Sequence, residues 1–124
     1  MKIFDCFMYF DENLLLDLRL NILDKYVDYF VIVESNFNHK GERKKLNFNI
    51  NDYKNFENKI IYLIYDKISD SEEKILANDD YNSKNIKYIF NAIHRENGQR
   101  NFLINGLDKA SDDDVILISD LDEI

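Results

Sequence analysis

The sequence predicts an α/β fold in which a doubly wound, mainly parallel sheet of about four strands carries helices on both faces. Continuous apolar runs at residues 29–33 and 115–118 are typical of strands that are buried on both faces. Amphipathic helical segments lie between the strand-like runs, as in a parallel sheet. The 124 residues are enough for one domain with its own core.

The first predicted unit is strand, helix, strand. Residues 2–10 are aromatic and aliphatic and predict the first strand, and Asp11, Glu12 or Asn13 can cap a helix that reaches about residue 26. The second strand is predicted over 29–34, joined to the first by a right-handed crossover. The helix is expected to turn one apolar stripe toward the sheet: Leu15, Leu18 and Ile22, with Leu14 and Leu23 on its flank.

The next predicted elements are a polar loop over 35–52, a short helix that ends near Asn58 and a third strand over 59–65. Residues 68–83 are charged and lack a clean period, which predicts a surface insertion that is partly helical.

A long helical stretch is predicted over 85–109, followed by the last strand over 115–118. Gly98 is expected to bend this stretch, because glycine costs about 1 kcal/mol in a helix interior. Four apolar residues share one face of it: Ile86, Ile89, Phe90 and Ile93.

The composition of the chain argues against several classes of function. The net charge of −8 argues against nucleic acid as a partner, because a phosphate backbone requires a basic face. No window approaches the ~20 uninterrupted apolar residues of a membrane span. Cys6 is the single cysteine, which excludes an internal disulfide and predicts a reducing, cytoplasmic location.

Two acids follow the last strand. Asp120 and Asp122 are two residues apart, so on an extended backbone their carboxylates leave the same side, roughly 6–7 Å apart. Parallel sheets bind ligands at the carboxyl ends of their strands. A divalent cation held there would bridge a diphosphate. The alternative is a solvated acidic turn that closes the strand.

Glu34 ends the second strand and is expected at the same edge of the sheet, where a carboxylate can accept hydrogen bonds from a nucleobase or a sugar. The alternative is a loop acid or a helix cap.

Arg95 and Arg100 lie in the most polar part of the long helix. Their guanidinium groups are suited to phosphate oxygens. The residues alone favour the alternative, an exposed face with a Glu96–Arg100 pair one helical turn apart.

Taken together, these residues resemble glycosyltransferase family 17, the family of the β-1,4-mannosyl-glycoprotein β-1,4-N-acetylglucosaminyltransferase. The family tends to have prolines at the positions of Arg43 and Lys45. Several separate motifs in the right order carry the resemblance over nearly the whole chain: Phe-Asp-Glu at 10–12, Val-Asp-Tyr-Phe-Val-Ile-Val-Glu-Ser-Asn-Phe at 27–37, Gly-Glu at 41–42, Arg-Glu and Gln-Arg-Asn within 95–101, and the Asp-rich segment 112–124.

The resemblance implies a GT-A fold, a UDP-sugar donor, N-acetylglucosamine as the sugar, a glycan hydroxyl as the acceptor and a Mn²⁺ or Mg²⁺ ion. By this comparison Asp120 contacts the donor's ribose or sugar, and Asp122 ligates the metal. Glu34 matches the position that holds the base, and Arg100-Asn101 resembles a pair near the donor phosphates or sugar.

The resemblance also implies that family members continue beyond this length. Residues 1–124 are therefore predicted to be the donor-binding half, truncated after the Asp-x-Asp strand, with the acceptor half and the general base outside this chain. The alternative is a non-catalytic relic or binding module that self-associates through its exposed sheet edge. A haloacid-dehalogenase-like phosphatase is disfavoured, because its Asp-x-Asp motif closes the first strand.

Overall fold

A computed structural model describes residues 1–68 and 72–124. Within these ranges the strands form one sheet in which every pairing is parallel, in the order β3-β2-β1-β4. The strands are β1 (Ile3–Tyr9), β2 (Tyr29–Ser35), β3 (Ile60–Tyr65) and β4 (Val115–Ile118). The parallel α/β architecture predicted from the alternation of strands and helices is confirmed.

In the described part of the chain, two α-helices and two 3₁₀ segments connect the strands: α1 (Asn13–Leu23), a 3₁₀ helix (Ile50–Phe56), α2 (Tyr81–Asn101) and a second 3₁₀ helix (Phe102–Gly106). Helix α2 begins before the predicted residue 85 because Asp80 caps it, with the Ser83 amide donating to Asp80 Oδ1 over 2.7 Å. It ends at Asn101, so the prediction of a helix through residue 109 was too long.

The predicted insertion over 68–83 lies only partly in the described ranges, since residues 69–71 are outside them. Residues 72–80 contain no helix, and the helical part is the start of α2. Among the described residues, no helix is long and apolar enough to cross a membrane.

The core lies on both faces of the sheet, because successive strand residues point to opposite sides. One face packs against α1 and the first 3₁₀ helix, with Phe7, Leu16, Leu20, Phe30, Ile32 and Phe56 in one cluster. The other face packs against the second 3₁₀ helix, with Phe4, Cys6, Val31, Val33, Tyr65 and Leu103 in a second cluster. Helices therefore cover both faces, as predicted.

The face of α1 that packs against the sheet is not the face that the sequence predicted. Its buried residues are Leu16, Arg19 and Leu20. Leu14 is 82% exposed, and Leu18 and Ile22 are each 45% exposed, so the predicted apolar stripe was wrong at these three positions. This difference in helix orientation has a physical cause, because Arg19 forms a buried ion pair with Asp5 on β1. Leucines alone do not reveal this orientation, since a charged residue lies at the centre of the buried face.

Helix α2 also departs from the prediction. It continues through Gly98 without a break, and a Cβ atom added at Gly98 would lie 2.2 Å from the Tyr65 hydroxyl oxygen. Close packing, and not a bend, therefore accounts for this glycine. Asn91 and Arg95 are the buried residues of α2. Its apolar face is exposed instead: Ile86, Ile89, Phe90 and Ile93.

Candidate active site

A cleft of about 380 Å³ opens at the carboxyl edge of the sheet. It lies where β1 meets β4, which is the point at which the order β3-β2-β1-β4 reverses direction. Ligands of open parallel sheets bind at such a switch point. The cleft is lined by Met8, Tyr9, Phe10, Glu12, Leu15, Ser35, Phe37, Asn38, His39, Ala92, Arg95, Glu96, Gln99, Asp120, Leu121 and Asp122.

The turn after β4 brings both predicted acids to this cleft. Asp120 and Asp122 line it, and both residues are exposed. Leu121, between them, is only 6% exposed and its side chain joins the core on the α1 face of the sheet. Residues 121 and 122 form a turn after β4, so the two acids reach the cleft from a turn and not from the extended backbone that the two-residue spacing assumed.

Arg100 lies next to Asp120. Its Nη2 atom is 3.3 Å from Asp120 Oδ1 and also 3.3 Å from Glu96 Oε1. The one-turn pair with Glu96 therefore exists, but the same guanidinium also contacts the acidic turn. Both contacts are solvent-exposed, so they contribute little to stability. Asn101 is exposed at the end of α2 and does not line the cleft.

Arg95 forms part of the cleft wall, with its side chain only 7% exposed. Its Nη1 group donates to Glu72 Oε1, and its Nη2 group donates to the His39 carbonyl. The contact with His39 links α2 to the loop after β2, and the contact with Glu72 links α2 to the segment that precedes it. Arg95 therefore lies beside the space where a phosphate was predicted, but its guanidinium already has protein partners.

Glu34 lies beneath the loop that follows β2 and is fully buried. Its Oε2 atom accepts hydrogen bonds from Lys44 Nζ over 2.7 Å and from the Asn47 amide over 2.6 Å. Its Oε1 atom accepts from the Phe48 amide over 3.0 Å and from the Tyr62 hydroxyl over 2.8 Å. Four protein donors therefore surround the carboxylate, and Glu34 does not line the cleft.

The loop held by Glu34 supplies part of the cleft that sequence reasoning did not identify. Phe37 and His39 line the cleft, and the His39 ring stacks on Phe10 with centroids 5.5 Å apart. These residues give the cleft an apolar wall on the side of β1 and β2. Their sequence signal was weak, because aromatic residues also fill the strands themselves.

Raised pKa values of one buried and one partly buried group predict that the fold loses stability in alkali. Burial raises the pKa of the Tyr62 hydroxyl above its ordinary value of 10.0, and the hydrogen bond to Glu34 raises it further. Burial also raises the pKa of the Cys6 thiol from 9.0 to about 12. The folded protein therefore keeps protons that the unfolded chain releases. The stability from these groups is fully present below pH 9.0, begins to fall as pH passes the unfolded-state values of 9.0 and 10.0, and is lost as pH rises through the folded-state values.

We expect the urea midpoint of the wild-type chain to be lower at about pH 11 than at about pH 8. The Tyr62→Phe variant should show a smaller decrease, because it lacks one of the ionisable groups whose pKa is raised. Tyr81→Phe is the control, since Tyr81 is 80% exposed, and its decrease should equal that of the wild type. Equal decreases in all three proteins would contradict the assignment to Tyr62.

The residues at the cleft fit a divalent cation that is shared with a ligand. Among the residues that the structure describes, no group of three or more histidine, cysteine or acidic side chains converges to hold a metal. Asp120 and Asp122 would therefore need oxygen atoms from a phosphate ligand to complete the shell. Magnesium sites of this kind commonly use one or two carboxylates together with substrate phosphates.

The protein family to which the chain belongs follows from a match to a family model. The family model described as glycosyltransferase family 17 matches residues 1–124, the whole chain. The chain belongs to glycosyltransferase family 17. Searches of curated proteins and of solved structures each found no match. The resemblance predicted from the sequence motifs is therefore confirmed, and so is the enzyme class.

As a glycosyltransferase, the protein has a sugar donor and a glycan acceptor as its classes of partner. Glycosyl transfer requires the departing group of the donor to be stabilised as charge develops on it. The turn after β4 supplies two acidic residues to this cleft, and Arg100 lies beside the turn without lining the cleft.

Proposed function

We propose that this family 17 glycosyltransferase binds a UDP-sugar in the cleft between β1 and β4, in a complex that requires Mn²⁺ or Mg²⁺. The sugar is N-acetylglucosamine, and the acceptor is a glycan hydroxyl. The observation that carries the proposal is the position of Asp120 and Asp122, which line the cleft at the topological switch point of the sheet.

The two ends of the cleft are suited to the two halves of a nucleotide. The stacked rings of Phe10 and His39, with Phe37 nearby, form an apolar wall that suits a base. The acidic turn lies on the β4 side of the same cleft. We infer that the base lies toward the aromatic wall and the diphosphate lies toward Asp120 and Asp122.

The charges explain why a cation is needed. The chain carries a net charge of −8, and two of the cleft acids flank the inferred diphosphate position. Asp122, with Asp120 beside it, would hold the cation, which when bound would neutralise charge on the diphosphate. Arg100, near the end of α2, lies beside this turn and would donate N–H groups to phosphate oxygens after leaving Glu96 or Asp120.

The contacts of Glu34 support a different role for it from direct contact with the base. Because its carboxylate is occupied by four protein donors, we propose that it shapes the cleft through the loop that carries Phe37 and His39. Arg95 contributes in a similar way, since it donates to the His39 carbonyl.

Calorimetric titration with UDP tests the proposal. Binding to the wild-type chain should require Mn²⁺ and disappear in excess chelator. Asp122→Asn should weaken Mn²⁺-dependent binding by at least about tenfold, because it removes a charged metal ligand. Asp112→Asn is the matched control, since Asp112 is an exposed acid before β4 and its replacement should leave the affinity within about twofold.

Two results would contradict the proposal. One is UDP binding that is equally tight with Mn²⁺ and with chelator. The other is an Asp122→Asn variant that binds like Asp112→Asn, which would show that a loss of negative charge near β4 has the same effect wherever it occurs.

A further inference from the structure

Arg19 is a charged residue at the centre of the buried face of α1. It is only 1% exposed, as is its partner Asp5 on β1. Arg19 Nε donates to Asp5 Oδ2 over 2.8 Å, and Nη2 donates to Asp5 Oδ1 over 2.6 Å. The guanidinium also lies over the Phe7 ring, 4.5 Å from its centroid. A buried pair of this kind is weak evidence for stability by itself, because removing both ions from water is costly.

The remaining N–H groups of Arg19 all point to the turn that carries the two acids. Nη1 lies 2.6 Å from the Asp120 carbonyl oxygen, 3.1 Å from that of Leu121 and 3.4 Å from that of Glu123. Nη2 also donates to Ser119 Oγ over 2.6 Å. One side chain in the first helix therefore binds the backbone of a turn about a hundred residues later in the chain.

This arrangement fixes which way the turn faces. The β1–β4 ladder ends at the bond from the Ser119 amide to the Cys6 carbonyl, at 3.3 Å. Beyond it, the carbonyl groups of Asp120 and Leu121 point inward to Arg19, and the Leu121 side chain is buried. Asp120 and Asp122, on either side of the buried Leu121, both line the cleft.

We propose that Arg19 is a positioning residue for the donor site: it holds the Ser119–Glu123 backbone so that Asp120 and Asp122 project into the cleft together. This inference rests on the proposed function for its link to the donor and the metal. Asp5 balances the buried charge, so that the pair positions the turn without adding net charge to the cleft.

The chemistry of the side chain explains why arginine is needed. A guanidinium presents five N–H donors in a planar fork, which here reach a carboxylate on one side and a turn on the other. Lysine keeps the positive charge but places its three donors on one atom, and it cannot bridge both sets of acceptors. Arg19→Lys therefore separates the charge of Arg19 from its geometry.

The test compares Arg19→Lys with Val33→Ala, which weakens the core on the opposite face of the sheet without touching the turn. Both are first shown to be folded by thermal denaturation. We expect Arg19→Lys to weaken Mn²⁺-dependent UDP binding by at least about tenfold, and Val33→Ala to leave it within about twofold. Amide hydrogen exchange at residues 119–123 should accelerate in Arg19→Lys and stay unchanged in Val33→Ala.

The exchange measurement keeps the inference separate from the proposed function. If the wild-type chain does not bind UDP with Mn²⁺, the proposed function fails, and exchange at residues 119–123 still decides the role of Arg19. A folded Arg19→Lys with wild-type exchange in the turn would overturn the inference. So would a loss of UDP affinity that Val33→Ala reproduces.

Ser119→Ala provides a second variant if Arg19→Lys does not fold. It removes one acceptor of Arg19 Nη2 and leaves the buried Asp5 pair in place. Exchange at residues 120–123 should then accelerate to a smaller extent, by about threefold. Unchanged exchange in this variant would overturn the inference as well.

Discussion

The Asp5→Asn variant is expected to lose about 3–5 kcal/mol of unfolding free energy. The substitution keeps the shape of the side chain but removes the negative charge that faces Arg19. The guanidinium would then remain 1% exposed without its counter-ion. Removing one partner of a buried pair is more harmful than removing an exposed one, because the remaining charge stays in a poorly solvated environment. Urea denaturation at neutral pH measures the loss.

The matched control is Asp66→Asn. Asp66 pairs with Arg43 over 3.2 Å, but the two side chains are 51% and 65% exposed. Its replacement should change the unfolding free energy by less than about 1 kcal/mol. If Asp5→Asn cost no more than Asp66→Asn, Arg19 would not depend on Asp5 in the folded protein.

A double variant separates the ion pair from the turn contacts. Asp5→Leu with Arg19→Met removes both charges, and such replacements of buried pairs are often neutral or stabilising. Here we expect the double variant to remain less stable than the wild type, because the carbonyl groups of Asp120 and Leu121 lose their buried donor. Full recovery of stability would show that the turn contacts contribute nothing.

The sheet was predictable from the sequence because it depends on local pattern. Continuous apolar runs mark strands that are buried on both faces, and their spacing leaves room for helical connections. The position of Asp120 and Asp122 at a strand end followed from the same pattern. Their position in the cleft could then be predicted from the rule that ligands bind at the carboxyl edge of a parallel sheet.

The orientation of the helices was not predictable in the same way. Arg19 has the sequence character of a surface residue, and only the fold brings it to Asp5. In α2 the buried side includes Asn91, whose side chain exchanges hydrogen bonds with the backbone of Glu73 over 2.6 and 2.7 Å. A polar residue with satisfied hydrogen bonds can replace an apolar one at such a contact. The spacing of apolar residues in the sequence does not predict this replacement.

Some predictions are not tested by the fold. β4 is an edge strand, paired with β1 within the described residues, and self-association through it stays a prediction. The division into donor and acceptor halves, the position of the general base and the cytoplasmic location also stay predictions.

Glu34 shows most directly how position and role can differ. The prediction that Glu34 lies at the end of the second strand is correct. The loop, however, folds over Glu34 and donates hydrogen bonds to its carboxylate. No pattern of residues predicts how a polar loop returns to a strand end. The consequence is measurable, since the loop carries Phe37 and His39 into the cleft.

Glu34→Gln is expected to cost about 3 kcal/mol of unfolding free energy. Glutamine offers one acceptor oxygen and an amide group that donates, so it cannot accept from all four donors that now surround the carboxylate. Lys44 would also lose its counter-ion, although its side chain is only 10% exposed. Urea denaturation measures the cost, and hydrogen exchange at the Asn47 and Phe48 amides locates it.

Tyr62→Phe is the control for this network. It removes one of the four donors to Glu34 and leaves the charge pair with Lys44 intact, so it should cost only about 1 kcal/mol. Exchange at the Asn47 and Phe48 amides should accelerate much more in Glu34→Gln than in Tyr62→Phe. Equal costs would mean that Glu34 is only one of several comparable contacts. A larger cost for Glu34→Gln than for Tyr62→Phe would instead show that the loop depends on the Glu34 carboxylate. The aromatic wall of the cleft, which the loop carries, would then depend on it as well.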